Sequence, residues 1–368
     1  MTKHNKAYKF RLYPTEEQAN LIRKTFGCVR FVYNKMLAER NEVYEKYKEN
    51  KEELKRQKFP TPAKYKAKYE WLKEVDSLAN AQLNLQTAYK NFFSGQNDFP
   101  AFKSKKSRKS YTTNRVNGNI MLFHGYIKLP KLKMVRLKQH REIPQNHIIK
   151  SCTISMTPTG KYYVSILTEY EKEIVQKKVE SVVGLDSAMA ELYVSSEDEK
   201  ANYPRFYRQM LDRLANAQRV LARRVKGSER WNKQRVRVAK LHEKVANQRK
   251  NFLHHKSKEL ATNFDVVAIE DLHMKGMSRA LRFGKSVADN GWRMFTTFLA
   301  YKLQEQGKQL VKIDKWFPST KMCSSCGSRK DMLLSERTYE CTCGLKISRD
   351  YNAAMNIKKE AIRLLALA

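Results

Sequence analysis

Two short apolar runs, Val182-Val-Gly-Leu-Asp186 and Val266-Val-Ala-Ile-Glu270, each end on a carboxylate. Short continuous apolar runs rich in β-branched residues read as strands. Helical patterns between them make this half of the chain α/β. A third carboxylate, Asp350, opens a C-terminal helical segment just after a group of four cysteines. Singly, an acid at a strand end is a turn or cap residue, and Asp350 can serve as an N-cap. Together the three match an RNase H-type sheet, with one Asp on the first strand, a Glu closing a later parallel strand and an Asp on the C-terminal helix. Such a sheet holds two Mg²⁺ ions about 4 Å apart across a scissile phosphate, one activating water and the other stabilising the leaving 3′ oxygen. Hard Mg²⁺ takes carboxylate oxygens and keeps positions open for phosphate and water. Asp271, beside Glu270, points the other way along a strand and reads as solvated or as a residue behind the metal ligands.

Around this centre the 368 residues carry 73 Lys and Arg against 37 Asp and Glu, a formal charge of +36. That balance is a polyanion binder's. The 41% hydrophobic content, with only 13 Gly and 9 Pro, argues for a folded multi-domain chain over a basic disordered one. The opening MTKHNKAYKF has no apolar segment after its positive charges. Nothing approaches the roughly 18 uninterrupted apolar residues of a membrane span. A soluble, cytoplasmic protein without a membrane partner is expected.

Cys28 and Cys152 stand alone, whereas Cys323 and Cys326, then fourteen residues on Cys341 and Cys343, form two knuckles. Four thiolates so spaced suit one tetrahedral structural Zn²⁺ in a reducing compartment, with Gly327 and Gly344 closing the two turns. The alternative is four buried free cysteines. A closed four-thiolate site does no chemistry of its own.

Along the chain, Tyr8 to Tyr13 reads as a strand, and Thr15 with Gln18 as a capping box. From Arg30 to Tyr89 helical spacing dominates, broken at Phe59-Pro60-Thr61-Pro62. On the helical stretch from Ser77 to Lys90, Leu78, Leu85 and Tyr89 face inward, while Gln82, Gln86 and Lys90 form a stripe at four-residue spacing. Gln amides pair with adenine in a major groove, and Lys90 can meet guanine or phosphate. Five cations lie between Lys103 and Lys109, of which Lys103, Lys105 and Lys106 are candidate phosphate contacts. Short alternating runs at Gly125 to Leu129, Ser151 to Met156 and Tyr162 to Thr168, punctuated by Asn117-Gly118 and Thr159-Gly160, suggest a small β-barrel completed by the Tyr8 strand. The helical lobe is then an insertion. After a charged linker from Glu169 to Ser181, two basic amphipathic helices between Pro204 and Leu260 fold back at Lys226-Gly227-Ser228. Leu214, Ala217, Leu221 and Val225 face Val238, Leu241, Val245 and Phe252 as a seam. Arg219, Arg223, Arg224, Arg235 and Arg237 are left to line a phosphate backbone.

The run Phe317-Pro-Ser-Thr-Lys-Met-Cys-Ser-Ser-Cys-Gly327, the knuckle Cys341-Thr-Cys-Gly344 and Arg349-Asp-Tyr-Asn-Ala-Ala-Met-Asn-Ile357 closely resemble the TnpB family of transposon-encoded RNA-guided DNA endonucleases, relatives of type V CRISPR effectors. Ala7 to Pro14, Val29 to Asn34, Phe99 to Lys105 and Ser110 to Thr113 are similar too, so the likeness spans essentially the whole chain. The resemblance implies a multi-domain α+β fold. A β-barrel wedge domain (1–14 and 99–175) carries an inserted helical recognition domain (15–98). An RNase H-like α/β RuvC domain follows (176–316, closed by the C-terminal helix 347–368), with a zinc-ribbon insertion (317–346) that binds target nucleic acid.

It further implies a guide RNA derived from the transposon end, one chain per RNA, in a nucleoid-associated prokaryotic protein. Double-stranded DNA matched by the guide and flanked by a short motif would be cut with Mg²⁺ at Asp186, Glu270 and Asp350. Three departures stand out. Ser187-Ala188-Met189 replaces the small residue that follows the first Asp, Ser348 replaces the first Asp of Asp-Arg-Asp, and the second knuckle is one residue short. The competing readings are a non-cleaving RNA-guided repressor, which would normally lose a carboxylate, and a plain zinc-ribbon nucleic-acid-binding protein. A strand-transferring transposase would need a His-hydrophobic-His pair, which none of the eight histidines forms.

Overall fold

A computed structural model of the chain describes residues 2–188, 191–272, 289–333 and 335–366, so Met189 lies outside the described residues. The chain divides into two compact units, Met1–Lys172 and Glu173–Ala368. Among the described residues, no helix is long and apolar enough to cross a membrane.

The first unit is built on one antiparallel sheet. Its strands are β1 (Thr2–Tyr13), β2 (Lys109–Asn114), β3 (Met121–Phe123), β4 (Tyr126–Leu129), β5 (Lys133–Lys138), β6 (Ile148–Met156) and β7 (Tyr162–Lys172), in the order β2-β6-β7-β1-β5-β4-β3. The first strand of the chain is therefore central, pairing with β7 from Thr2↔Lys172 to Leu12↔Tyr162 and with β5 near its end. Alternate residues Tyr8, Phe10 and Leu12 are buried against Val135, Leu137, Ile154, Val164 and Ile166, as the two-residue side-chain period requires. Strand β5 escapes a hydropathy reading because Lys133, Arg136 and Lys138 crowd it, yet Val135 and Leu137 alternate inward. The Asn117-Gly118 punctuation is a tight turn in which both residues have positive φ, closed by Asn119 N–H donating to the Val116 carbonyl at 3.0 Å.

Between β1 and β2 run α1 (Glu16–Tyr47), α2 (Lys51–Arg56), α3 (Pro62–Lys68), a 3₁₀ turn (Glu70–Glu74) and α4 (Ala79–Phe93). Thr15 and Gln18 form the expected capping box. The Gln18 amide also donates to the carbonyls of Leu132 (3.0 Å) and Met134 (2.8 Å), fastening the helix start to the sheet. The expected break precedes α3, which has Pro62 in its first turn. Leu78 and Leu85 are buried and Tyr89 packs against the same core.

In the second unit, β8 (Val182–Asp186), β10 (Val266–Glu270) and β11 (Gln309–Ile313) are parallel, and β9 (Val194–Ser195) is an antiparallel edge. Helices cover both faces, which is why β8 and β10 are apolar up to their closing carboxylates. Leu185, Val267 and Ile269 pack with residues of α6 (Glu229–Asn263) and α7 (Trp292–Gln304), including Leu253, Phe295 and Leu299. Ala268 and Ile313 instead meet Ile357 and Ala361 of α8 (Arg349–Ala366).

Gly184 sets how closely α8 approaches. A Cβ there would lie 2.2 Å from the Ala354 carbonyl oxygen and 2.6 Å from the Lys358 nitrogen. Helix backbone cannot yield as a side-chain tip can. Gly184→Ala is therefore expected to lower the stability of this unit by about 1–3 kcal/mol, the range of overpacking substitutions, seen as an earlier thermal melt. An unchanged melt would mean that strand and helix part without cost.

The two basic helices, α5 (Phe206–Ala222) and α6, form the expected hairpin, with Ser228 accepting from Trp231 N–H as the second N-cap. Met210 and Leu214 pack on Val245, with Leu241 beside them. One seam residue needs correction. Val225 lies beyond the end of α5 and is 79% exposed, whereas Phe252 does meet α5, packing on Phe206 at its start and on Tyr203 just before it. A buried Gln234, donating to the Ala217 carbonyl at 2.9 Å, joins the seam as a polar member.

Candidate active site

In the β8–β10 register Leu185 pairs with Ile269, so Asp186 and Glu270 stand one step further on, at the same ends of adjacent parallel strands. Gly184 meets α8, and the side-chain period turns Asp186 to that same face. Asp350 sits in the first turn of this helix, one turn before Ala354. All three carboxylates are brought together. Burial, then the charges of Glu270 and Asp350, push the Asp186 carboxyl well above the usual range, with Arg349 opposing. Burial likewise raises Glu270, and a hydrogen bond from Ser319 opposes it. Buried like charges of this kind are stabilised by a cation. A donor set of carboxylate oxygens is the one hard Mg²⁺ prefers, so the residues fit the ion.

Around the carboxylates lies a polar frame that the sequence reading missed. The Ser319 hydroxyl donates to Glu270 Oε1. The Arg349 guanidinium donates twice to Asp350 Oδ1 at 3.2 Å. From α8, Asn352 Nδ2 donates to the Met322 carbonyl (2.7 Å) while its Oδ1 accepts from Ser324 N–H (2.9 Å). Asn356 Nδ2 donates to the carbonyls of Ser319 (2.8 Å) and Met322 (2.7 Å). Both asparagines are almost fully buried on a face shared with Ala353 and Ile357. Two asparagines four apart on an apolar face were the available signal. Asp271 is solvated as expected, pairing with Lys312 at 2.9 Å.

The thiols of Cys323, Cys326, Cys341 and Cys343 all lie within 4.8 Å of one another. Sulfur separations of 3.7 Å for Cys323–Cys343 and 3.6 Å for Cys326–Cys341 match the ~3.8 Å edge of a tetrahedron with Zn–S bonds of about 2.3 Å. The Cys343 backbone N–H and the Ser328 hydroxyl pull Cys341 down to about 6, while Cys343, against the pull of the Leu345 N–H, is pushed up to about 11 by its thiol neighbours, so the four sulfurs share protons that a bound metal would displace. The short knuckle still works because it turns more tightly. Gly344 N–H returns to the Cys341 carbonyl at 3.0 Å, whereas Gly327 N–H reaches one residue further back, to Cys323, also at 3.0 Å. A hairpin of β12 (Thr338–Glu340) and β13 (Lys346–Ser348) then leads straight into α8. Ser348, at its end, is exposed.

The basic candidates fare unevenly. Lys103 and Lys105 line a cavity of about 280 Å³ with Arg23, Arg30, Arg108 and Lys109. The Asn34 side chain grips the Lys103 backbone at 2.8 and 2.9 Å, and the Lys103 ammonium lies 3.7 Å from the Tyr33 ring centre. Lys106 is exposed outside that cavity. Gln86 and Lys90 are exposed on α4, and Gln82 is half-buried. On the hairpin, Arg223 is exposed, Arg224 donates to the Arg230 carbonyl at 2.5 Å, and Arg235 lies over Trp231. Arg224 and Arg235 are thus already engaged within the hairpin.

Compared with known proteins, the chain is 35% identical over 366 residues to a Streptomyces pristinaespiralis protein provisionally named an RNA-guided DNA endonuclease, covering 97% of this chain and 89% of that one. It is 30% identical over 385 residues to the similarly named InsQ of Escherichia coli, covering 99% and 94%. The chain belongs to the TnpB family. Within this TnpB, residues 165–281 match the IS605 OrfB family, described as a probable transposase, residues 1–49 a helix-turn-helix domain of that family, and residues 292–357 the Cas12f1-like TNB domain. The TnpB fold also resembles the Cas12f1 chain of a complex with single guide RNA and target DNA, at a TM-score of 0.60 and 12% identity over 97% of this chain and 99% of that one. The mixed α+β, multi-domain character expected for a TnpB is therefore present.

Proposed function

We propose that this TnpB is an RNA-guided, Mg²⁺-dependent DNA endonuclease that makes double-strand breaks in guide-matched DNA beside a short flanking motif. The observation that carries this reading is the convergence of Asp186, Glu270 and Asp350 from two strand ends and one helix start. Names given to relatives along nearly the full length support the same activity. Asp186, Glu270 and Asp350 would hold the metal. When bound, Mg²⁺ supplies Lewis-acid stabilisation of the phosphate and lowers the pKa of its water. Ser319 orients Glu270, and Arg349 holds Asp350 against its acidic neighbours. One such centre would cut both strands in turn.

On this reading the seven-stranded sheet is the wedge barrel, α1 to α4 the inserted recognition domain, and the β8–β11 sheet with α8 an RNase H-like RuvC domain. The four thiols hold one structural Zn²⁺ in a ribbon at 317–346. The +36 charge and the Cas12f1 likeness support a guide RNA and a DNA target as partners. The direct test is to purify the chain with its bound RNA, sequence that RNA, and challenge a matching plasmid with and without Mg²⁺. Metal-dependent linearisation is expected. Stable guided binding without any cut would favour a repressor.

For flank recognition we assign Gln82 and Gln86 to base edges, Lys90 to guanine or phosphate, and Lys103, Lys105 and Lys106 to phosphates. On the hairpin, Arg223 is assigned to a phosphate backbone, to which Arg224 and Arg235, each engaged within the hairpin, present their remaining donors. The exposure of Gln86 and Lys90 supports the first group, and the basic cavity supports Lys103 and Lys105. Gln86→Ala is expected to change the motif preference in a library cleavage assay, at a cost of about 1–3 kcal/mol per lost base contact. Lys105→Ala should instead weaken every motif alike and flatten the salt dependence. Unchanged preference in both Gln82→Ala and Gln86→Ala would move motif reading elsewhere.

A further inference from the structure

The segment linking β11 to the cysteine ribbon passes directly over Glu270, and it is held there from α8. Ser319 is 3% exposed, and each of its polar groups is committed. Its N–H donates to the Phe317 carbonyl at 2.8 Å, its carbonyl accepts from Asn356, and its hydroxyl donates to Glu270 Oε1. Three residues on, the Met322 carbonyl accepts from both Asn352 and Asn356, immediately before Cys323. The helix that presents Asp350 therefore also fixes the hydroxyl that fixes Glu270.

We infer that Ser319 is a positioning residue for metal capture, using its hydroxyl to occupy Glu270 Oε1 and present Oε2 to the ion. A glutamate has three rotatable side-chain bonds and two equivalent oxygens. Freed from Ser319, Glu270 samples orientations in which neither oxygen faces the cation. With Oε1 claimed, one oxygen remains and its direction is set. Hydrogen-bond partners of metal-binding carboxylates typically change metal affinity or activity by 10–100-fold. The asparagine pair gives this hydroxyl its precision, because it fixes the Ser319 and Met322 carbonyls on either side of a short loop to one buried helix face. The inference rests on the carboxylate assignment proposed above and adds a residue that touches neither the metal nor DNA.

The test compares Ser319→Thr with Ser319→Val in the full RNA-loaded chain, since the two side chains match in volume and differ in the hydroxyl. Two quantities are read. One is the Mg²⁺ concentration for half-maximal cleavage. The other is the Fe²⁺ concentration for half-maximal hydroxyl-radical scission of the protein backbone beside residue 270, mapped by mass spectrometry, which needs no catalysis. Ser319→Val is expected to raise both by about 10–100-fold, with Ser319→Thr close to the unaltered chain and zinc content the same in both. Equal half-saturation in the Thr and Val variants overturns the inference. Asp186→Ala run in parallel separates the two readings. If it still cleaves, the carboxylate assignment falls. If it is inactive while Thr and Val agree, only the role of Ser319 falls.

Discussion

Replacing Asp186 by Ala is expected to cut cleavage of a guide-matched plasmid on the order of 10³-fold, the upper scale for removing one catalytic electrostatic group, while guided DNA binding persists. Glu270→Ala and Asp350→Ala should behave alike. Plasmid linearisation beside a gel-shift assay reads both properties, and a cleaving Glu270→Ala variant would falsify the assignment. Specific nicking of one strand at the normal rate by any of the three would reveal a second nuclease centre.

The same substitutions should act oppositely on stability when metal is withheld. Asp186 is buried beside two other carboxylates, which raises its pKa on folding. A carboxyl whose folded pKa lies above its unfolded one binds its proton more tightly in the native state, so stability falls as pH rises from the ordinary carboxylate value toward the raised one. Metal-free chain should therefore melt earlier at neutral pH than at mildly acidic pH. Asp186→Asn should flatten that dependence, and added Mg²⁺ should offset it in the unaltered chain by binding the native state.

Cys323→Ser should have the larger structural effect. Structural zinc sites contribute about 10–16 kcal/mol of binding energy that is coupled to local folding. Loss of one thiolate is expected to release about one zinc per chain and unfold 317–346, leaving RNA retention by the first unit intact. Cleavage should fail with it, because the first knuckle is tied to α8 through Ser324 and Asn352. Zinc analysis, limited proteolysis and plasmid cleavage on one preparation suffice. A zinc-free chain of full activity would overturn the role given to the cysteines.

Features stated by local rules were legible in the sequence. The Thr15 capping box, the Asn117-Gly118 turn and the strand ends at Asp186 and Glu270 each follow from a few adjacent residues. Those decided by distant partners were not. Val225 continues the helical spacing of α5, but the chain turns at Gly227 and leaves it in solvent. Arg224 reads as a free cation until the next helix offers it a carbonyl. Ser319 lies 49 residues from Glu270, and no periodicity records their meeting. Asn352 and Asn356 came closest, since buried amides on an apolar helix face must find partners, though not which ones.

The central place of β1 has a consequence for synthesis. The strand leaves the ribosome well before β7, its partner lying 170 residues further on at Thr2↔Lys172. At about 5–20 residues per second, roughly ten to thirty seconds pass before both sides of β1 can pair. Before then β5 can pair with β1 only from Arg11 to Tyr13, so Tyr8 and Phe10 lack a neighbouring strand, and closing so long a loop is intrinsically slow. A nascent chain in that state presents a strand whose apolar face is still uncovered, the kind of segment chaperones bind. Trimming the first dozen residues would accordingly remove the keystone of the sheet, although by position they resemble a dispensable tail.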